Sequence, residues 1–117
     1  MNRHAAHAYK AVAMIDLLTG YFDGGKNWIC GEWQIGHRRC LVSALRILRL
    51  VHGIKGDPTR YYIREAIRKR HKWRCDLVSF NDVVAKTYDK VAPVLADARE
   101  LALAAAENYQ RTIRLAA

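Results

Sequence analysis

Seven cations within fifteen residues, Arg60, Arg64, Arg68, Lys69, Arg70, Lys72 and Arg74, are the side chains with the clearest chemical consequence. Arg60, Arg64, Arg68 and Lys72 follow one another at four-residue steps, so on a helix they form one ridge, with Lys69 and Arg70 alongside. A ridge of one sign concentrates the field at the surface and attracts a polyanion or an acidic protein surface. Within it only Glu65 offers the opposite charge, whereas a helix that is merely solvated usually mixes signs. Tyr61 and Trp73 are interleaved and available to stack on an unpaired base, while the cations track phosphates. No Asn or Gln accompanies them to read base edges. The pair of helical segments 38–52 and 57–72 has the length of a helix-turn-helix, but its link reads as that of a plain helical hairpin.

The cysteines raise two further chemistries. Cys40 opens a helical segment beside His37, Arg38 and Arg39, a setting that lowers a thiol pKa. With His37 as base and Asn81 or Asp82 as orienting group, a Cys-His-Asn arrangement can be drawn. Against it, Cys40 shares the apolar side with Leu41, Ala44 and Ile47, where free cysteine is ordinarily core, and no oxyanion-hole motif accompanies it. Cys30, His37, Cys40 and Cys75 have the right number for structural zinc but no Cys-x-x-Cys knuckle, and His4 and His7 have no ligand nearby in sequence. Phe80-Asn81-Asp82 reads as a turn, with Phe80 in the core and Asn81 or Asp82 capping a short helical turn. There is no Gly-rich phosphate loop, no His-Glu-x-x-His and no serine nucleophile elbow. The expectation is a protein without catalytic residues, metal or cofactor.

The elements that must position these residues are helical. All seven glycines lie at or before Gly56, and the prolines are Pro58 and Pro93, so the second half has few breakers. Residues 5–22 place Ala8, Val12, Ile15, Leu18 and Phe22 on one face, with Lys10 and Asp16 opposite, until Asp23-Gly24-Gly25 stops the helix. Residues 26–37 fit no helix template. They read as an ordered loop, with room for a short strand or hairpin, pinned by Trp28 and Trp33. A helix over 38–52 follows, closed by Gly53, with Cys40, Leu41, Ala44, Leu45, Ile47, Leu48 and Val51 inside. Its solvent stripe is Arg39, Ser43, Arg46 and Arg49, and its wide apolar side makes it the expected centre of the core. Asp57-Pro58 supplies an N-cap and first-turn proline for a basic helix to Lys72, with Tyr62, Ile63, Ala66 and Ile67 buried. Trp73, Cys75, Leu77 and Val78 read as anchors of an irregular stretch. Thr87 caps a last helix carrying Val91, Val94, Leu95, Ala98, Ala102, Ala105 and Tyr109 on one face, bent near Pro93. That helix is long enough to outrun a small core, so its end is expected to project or to pair with a second copy.

Trp28, then Cys40-Leu41-Val42-Ser43-Ala44-Leu45, then Phe80-Asn81-Asp82 and Thr87 resemble an uncharacterised family of small bacterial and phage proteins, a domain of unknown function. The family pattern runs W, then C-L-x-G-A-L, then W-N-D and a Thr-capped helix, and the likeness spans about residues 8–101. Arg39 stands where that family tends to have an aromatic, Ser43 where it has glycine, and Phe80 where it has tryptophan. The resemblance implies a shared fold and a mobile-element origin, and carries no known activity.

At 117 residues the chain is expected to form a single, mostly all-α domain, residues 1–117, a bundle of four main helices around a Trp-containing loop. Ten of its twenty Lys and Arg lie between Arg46 and Arg74, opposed by Asp57, Glu65 and Asp76, so this third holds most of the net +9. An odd three cysteines, with neither signal peptide nor membrane span apparent, place it in a reducing cytoplasm. The expected function is non-enzymatic binding through the basic helix 57–72 to nucleic acid or a nucleoprotein. The other expectation is an interaction module, a small phage-derived inhibitor or adaptor docking on an acidic groove of a nucleic-acid-handling complex. The long C-terminal helix suggests a homodimer and, equally, a helix lying across its own core.

Overall fold

The bundle is organised by two long antiparallel helices. In the computed structural model, which describes residues 3–54, 58–72 and 74–116, α1 spans Arg3–Phe22 and α5 spans Tyr88–Ala116. Three contacts set their register: His4 on Tyr109, Arg99 with Asp16, and Phe22 on Tyr88. Between them lie α2 (Leu41–His52), α3 (Thr59–His71) and a short α4 (Leu77–Ser79) that continues as a π-helical turn, Phe80–Ala85. The expected mostly all-α architecture is therefore present, and β structure among the described residues is limited to a hairpin of two short strands and an isolated bridge between Trp28 and Arg39. In the hairpin, β1 (Gln34–Ile35) pairs antiparallel with β2 (Arg38–Arg39), Gln34 opposite Arg39 and Ile35 opposite Arg38.

The apolar periodicity of α1 is realised. Ala5, Ala8, Ala11, Met14, Ile15, Leu18 and Phe22 are buried, and Lys10 and Asp16 are exposed. They face Val91, Val94, Leu95, Ala98, Ala102 and Ala106 of α5, so alanines bring the two helices close along much of their length. Asp23–Gly25 forms a single 3₁₀ turn after α1, in which Gly25 has φ +104° and a Cβ would stand 3.0 Å from the Cβ of Tyr88. Only glycine suits both demands.

The centre of the core is this α1–α5 pair and not the 38–52 helix. That helix begins at Leu41, because Arg38 and Arg39 are drawn into the hairpin and Cys40 takes the N-cap, its Sγ accepting from Ser43 N–H at 3.5 Å. The shift brings Ser43 inside, fully buried, where its Oγ accepts from Arg39 Nη1 at 2.8 Å. At the far end the helix runs past its packing partners, leaving Leu50 and Val51 exposed. Gly53 closes it in the left-handed conformation, and Ile54 N–H returns to the carbonyl of Arg49 at 3.0 Å, as the sequence predicts.

In α3 the expected inner face is the observed one: Tyr62, Ile63, Ala66 and Ile67 are buried. Asp57 and Trp73 lie outside the described residues, so the predicted Asp57 cap and Trp73 stacking platform do too. Of the two tryptophans in the 26–37 loop, Trp28 is buried and Trp33 is not. On α5, Ala106 rather than Ala105 continues the buried face, and Tyr109 is exposed against His4. The helix begins directly after Thr87, whose carbonyl accepts from Lys90 N–H at 3.2 Å.

Phe80-Asn81-Asp82 is not a turn but the start of the π-helical segment, and the cap of its helix is Asp76. The Asp76 carboxylate accepts from Ser79 N–H at 2.7 Å, which holds its pKa below the usual carboxylate range. A depressed carboxylate contributes stability that is complete above the ordinary carboxylate range and lost as pH falls below it. Asp76→Ala is accordingly expected to cost about 1 kcal/mol at neutral pH. Thermal melts should show that difference shrinking as pH is lowered.

Candidate functional site

The basic residues divide between two sides of α3. Arg60, Tyr61 and Arg64 are exposed and Arg68 is partly so, one turn after another along the outer face. The chain leaves α3 through Lys72, in the left-handed conformation with its N–H on the carbonyl of Arg68, and folds back along the helix. Capping of α4 by Asp76 fixes where that return ends. The result is a groove of about 480 Å³ lined by Tyr61, Arg64, Glu65, Arg68, Arg74, Cys75 and Asp76.

Three of the seven predicted ridge residues, Arg64, Arg68 and Arg74, therefore converge on one groove, with Tyr61 among them. The Tyr61 ring is 53% exposed and is held edge-on against Tyr62, centroids 5.2 Å apart. More than half of the residue is therefore accessible to a ligand. Arg68 grips Glu65 through Nη2 at 2.8 Å and Nε at 3.3 Å, and this bond, with Lys69 and Arg74 nearby, keeps the Glu65 carboxyl below its usual range. Arg64 and Arg74 have no ion pair among the described residues. Their charge is available to an incoming anion.

Lys69 and Arg70 lie on the other side, since successive residues turn about 100° around a helix. Arg70 Nε donates to Asp97 Oδ2 of α5 at 2.8 Å. Lys69 lines a second trough with Ala66, Asp97, Glu100, Leu101 and Ala104. These two cations do not share the groove with the other three. The helical step that turns them away is readable in the sequence; Asp97, which holds Arg70 there, stands 27 residues away.

The cysteines do not assemble a site. Cys40 is buried and spent as the cap of α2, Cys30 Sγ donates to the carbonyl of Asp82 at 3.4 Å, and Cys75 lies in the groove. His37 is exposed at the hairpin, its carbonyl accepting from Tyr21 Oη at 2.7 Å. Among the described residues no three His, Cys, Asp or Glu are placed to hold a metal ion. Burial and the neighbouring Asp76 carboxylate push the Cys75 thiol up, which disfavours the nucleophilic thiolate.

Asn81, drawn above as an orienting group for Cys40, is committed to structure. Its Oδ1 accepts from Trp28 Nε1 at 2.6 Å and from Leu41 N–H at 3.2 Å. Its Nδ2 donates to the carbonyl of Ile29 at 3.1 Å and to Asp82 Oδ1 at 2.8 Å. Asp82 in turn accepts from Gly31 N–H at 2.9 Å. The amide has no capacity left to orient an imidazole.

Fold and groove together define a small, basic, mostly α-helical protein whose described surface concentrates arginine and tyrosine in one place. No family model, no curated protein and no solved structure matches the chain. No helix among the described residues is long and apolar enough to cross a membrane.

Proposed function

We propose that the protein binds nucleic acid through the outer groove of α3, with phosphates on Arg64, Arg68 and Arg74 and an unpaired base on Tyr61. The observation that carries this reading is the exposed Tyr61 side chain in a groove lined by arginines of α3 and of the segment that follows it. Arginines lining a groove suit one backbone passing along it, and an exposed ring beside them suits a base that is not already paired. Single-stranded DNA or RNA is therefore preferred over duplex. The α3 face offers no Asn or Gln for base edges, so binding is tolerant of sequence.

The inner residues of α3 that hold it in the bundle are distinct from its groove cations, so charge reversal there tests binding without dismantling the fold. Fluorescence anisotropy of short labelled single strands and duplexes, titrated at several salt concentrations, is the measurement. Three phosphate contacts predict a log–log salt slope of about −2 for a single strand. Arg64→Glu with Arg74→Glu should abolish binding, and Tyr61→Ala should weaken single-strand binding about tenfold while sparing the slope. No binding at low salt, or equal binding by the double variant, overturns the reading. The groove would then be a docking surface for an acidic protein.

A further inference from the structure

The opposite side of α3 and the free end of α5 point to a second, independent surface. Among the residues of α5 whose burial is described, Ala106 is the last that is fully buried, and the helix continues to Ala116, about 15 Å further. This end leaves the core with Arg111, Arg114 and Leu115 exposed, Leu115 at 81%. Nearer the middle of α5, the trough against α3 has an apolar floor of Ala66, Leu101 and Ala104, edged by Asp97, Glu100 and Lys69.

Asp97, Glu100, Ala104, Glu107, Arg111 and Arg114 alternate by three and four residues, the spacing of a helix–helix seam. The stripe is acidic in its first half and basic at its end. We propose that it is a self-complementary interface, and that two copies of the chain pair through antiparallel α5 helices with the two-fold axis between Ala104 and Glu107.

That register brings Glu100 opposite the second copy's Arg111 and Asp97 opposite its Arg114, and two-fold symmetry repeats both pairs. The second copy's Glu107 comes over Ala104, beside Lys69, and its Leu115 comes over Ala96. A parallel alignment would instead set acid against acid and base against base. Arg70 already engages Asp97 at 2.8 Å, so the pair of Glu100 with Arg111 dominates. The apolar share is small, a few alanines and two leucines on each side. The charged pairs therefore carry the association, and the dimer is weak and sensitive to salt.

Sedimentation equilibrium over a wide concentration range at low salt tests the proposal on the whole chain. The unaltered protein should show a monomer–dimer equilibrium that shifts to monomer as salt is raised. Glu100→Arg alone and Arg111→Glu alone should each be monomeric, since each sets like charges opposite one another twice. Mixed in equal amounts, the two variants should dimerise with each other, because every facing pair is again opposite in sign. That rescue also shows that both variants are folded. A protein that stays monomeric throughout, single reversals that dimerise as well as the unaltered chain, or a mixture that stays monomeric would each overturn the interface. The nucleic-acid titration with Arg64 and Arg74 altered reads a different face, so the two proposals stand or fall separately.

Discussion

Replacing Asn81 with leucine is expected to lower the stability of the protein by about 3–5 kcal/mol, a large part of what a domain of this size possesses. Asn81 is completely buried and uses both lone pairs and both amide protons. Its partners come from three places: the side chain of Trp28, the backbone of Ile29, and the first N–H of α2 at Leu41. Leucine keeps the same heavy-atom skeleton, branched at Cγ, so the change opens no cavity, and the cost is mainly that of stranding polar groups away from water, with a smaller share from fitting its bulkier methyl groups. Three buried groups lose their partner, at about 1–3 kcal/mol each before relaxation. Urea denaturation followed by tryptophan fluorescence measures the loss, and a shift worth less than about 1 kcal/mol would show that water replaces the amide. Asn81→Asp is the informative companion. It keeps the acceptor for Trp28 and Leu41 but turns the donor toward Ile29 and Asp82 into a carboxylate, so it adds the cost of a buried like charge to the loss of the donor and should destabilise at least as much.

That network explains how the loop after α1 is held, and why its anchoring is hard to foresee. Trp28 and Asn81 are 53 residues apart, and nothing in the local pattern around Phe80-Asn81-Asp82 distinguishes a turn cap from a long-range tie. The inner faces of α1 and α3 were legible because amphipathic periodicity depends only on neighbours along the chain. Gly53 was legible because helix closure is local chemistry. The burial of Ser43 was not, since it follows from β-pairing of Arg38 and Arg39, which delays the start of α2. Nor was the central place of α5. An alanine-rich face signals close approach of a partner helix without saying which one, and here α1 claims it.

The candidate groove was legible to the same degree. Spacing put Arg64 and Arg68 on one ridge, and composition flagged Tyr61. The convergence of Arg74 depends on the chain reversing after Lys72, while Lys69 and Arg70 are turned away by the helical step itself and Arg70 is then held by Asp97 of α5. Charge density along a sequence locates a basic region; only packing decides which of its cations face the same ligand. Each of the two surfaces, the basic groove and the mixed-charge stripe of α5, has its own test, and neither uses the residues that hold the core.

The second large effect is expected where α1 and α5 touch. His4 against Tyr109 and Asp16 against Arg99 set a register in which Ala11 stands near Ala102 and Ala8 near Ala106, all essentially inaccessible. Alanine at these positions favours helix at little entropic cost and lets the backbones approach closely, and the interior left between them is filled. Ala102→Leu inserts three carbons into a helix–helix contact whose side chains are already fully buried. Relief requires α1 and α5 to move apart, which would loosen packing on either side and strain the Arg99–Asp16 bond at 2.7 Å. A loss of about 3 kcal/mol is expected, at the upper end for overpacking because two rigid helices rather than one mobile side chain must yield. Ala104→Leu is the control on the same helix: it projects into the trough, keeps helix propensity nearly unchanged, and should alter stability by less than about 0.5 kcal/mol. If both variants melt together with the unaltered protein, the helices are not as closely packed as their alanines indicate. If Ala102→Leu alone falls, the close approach of α1 and α5 is the constraint that makes alanine, rather than a larger apolar residue, the residue of this core.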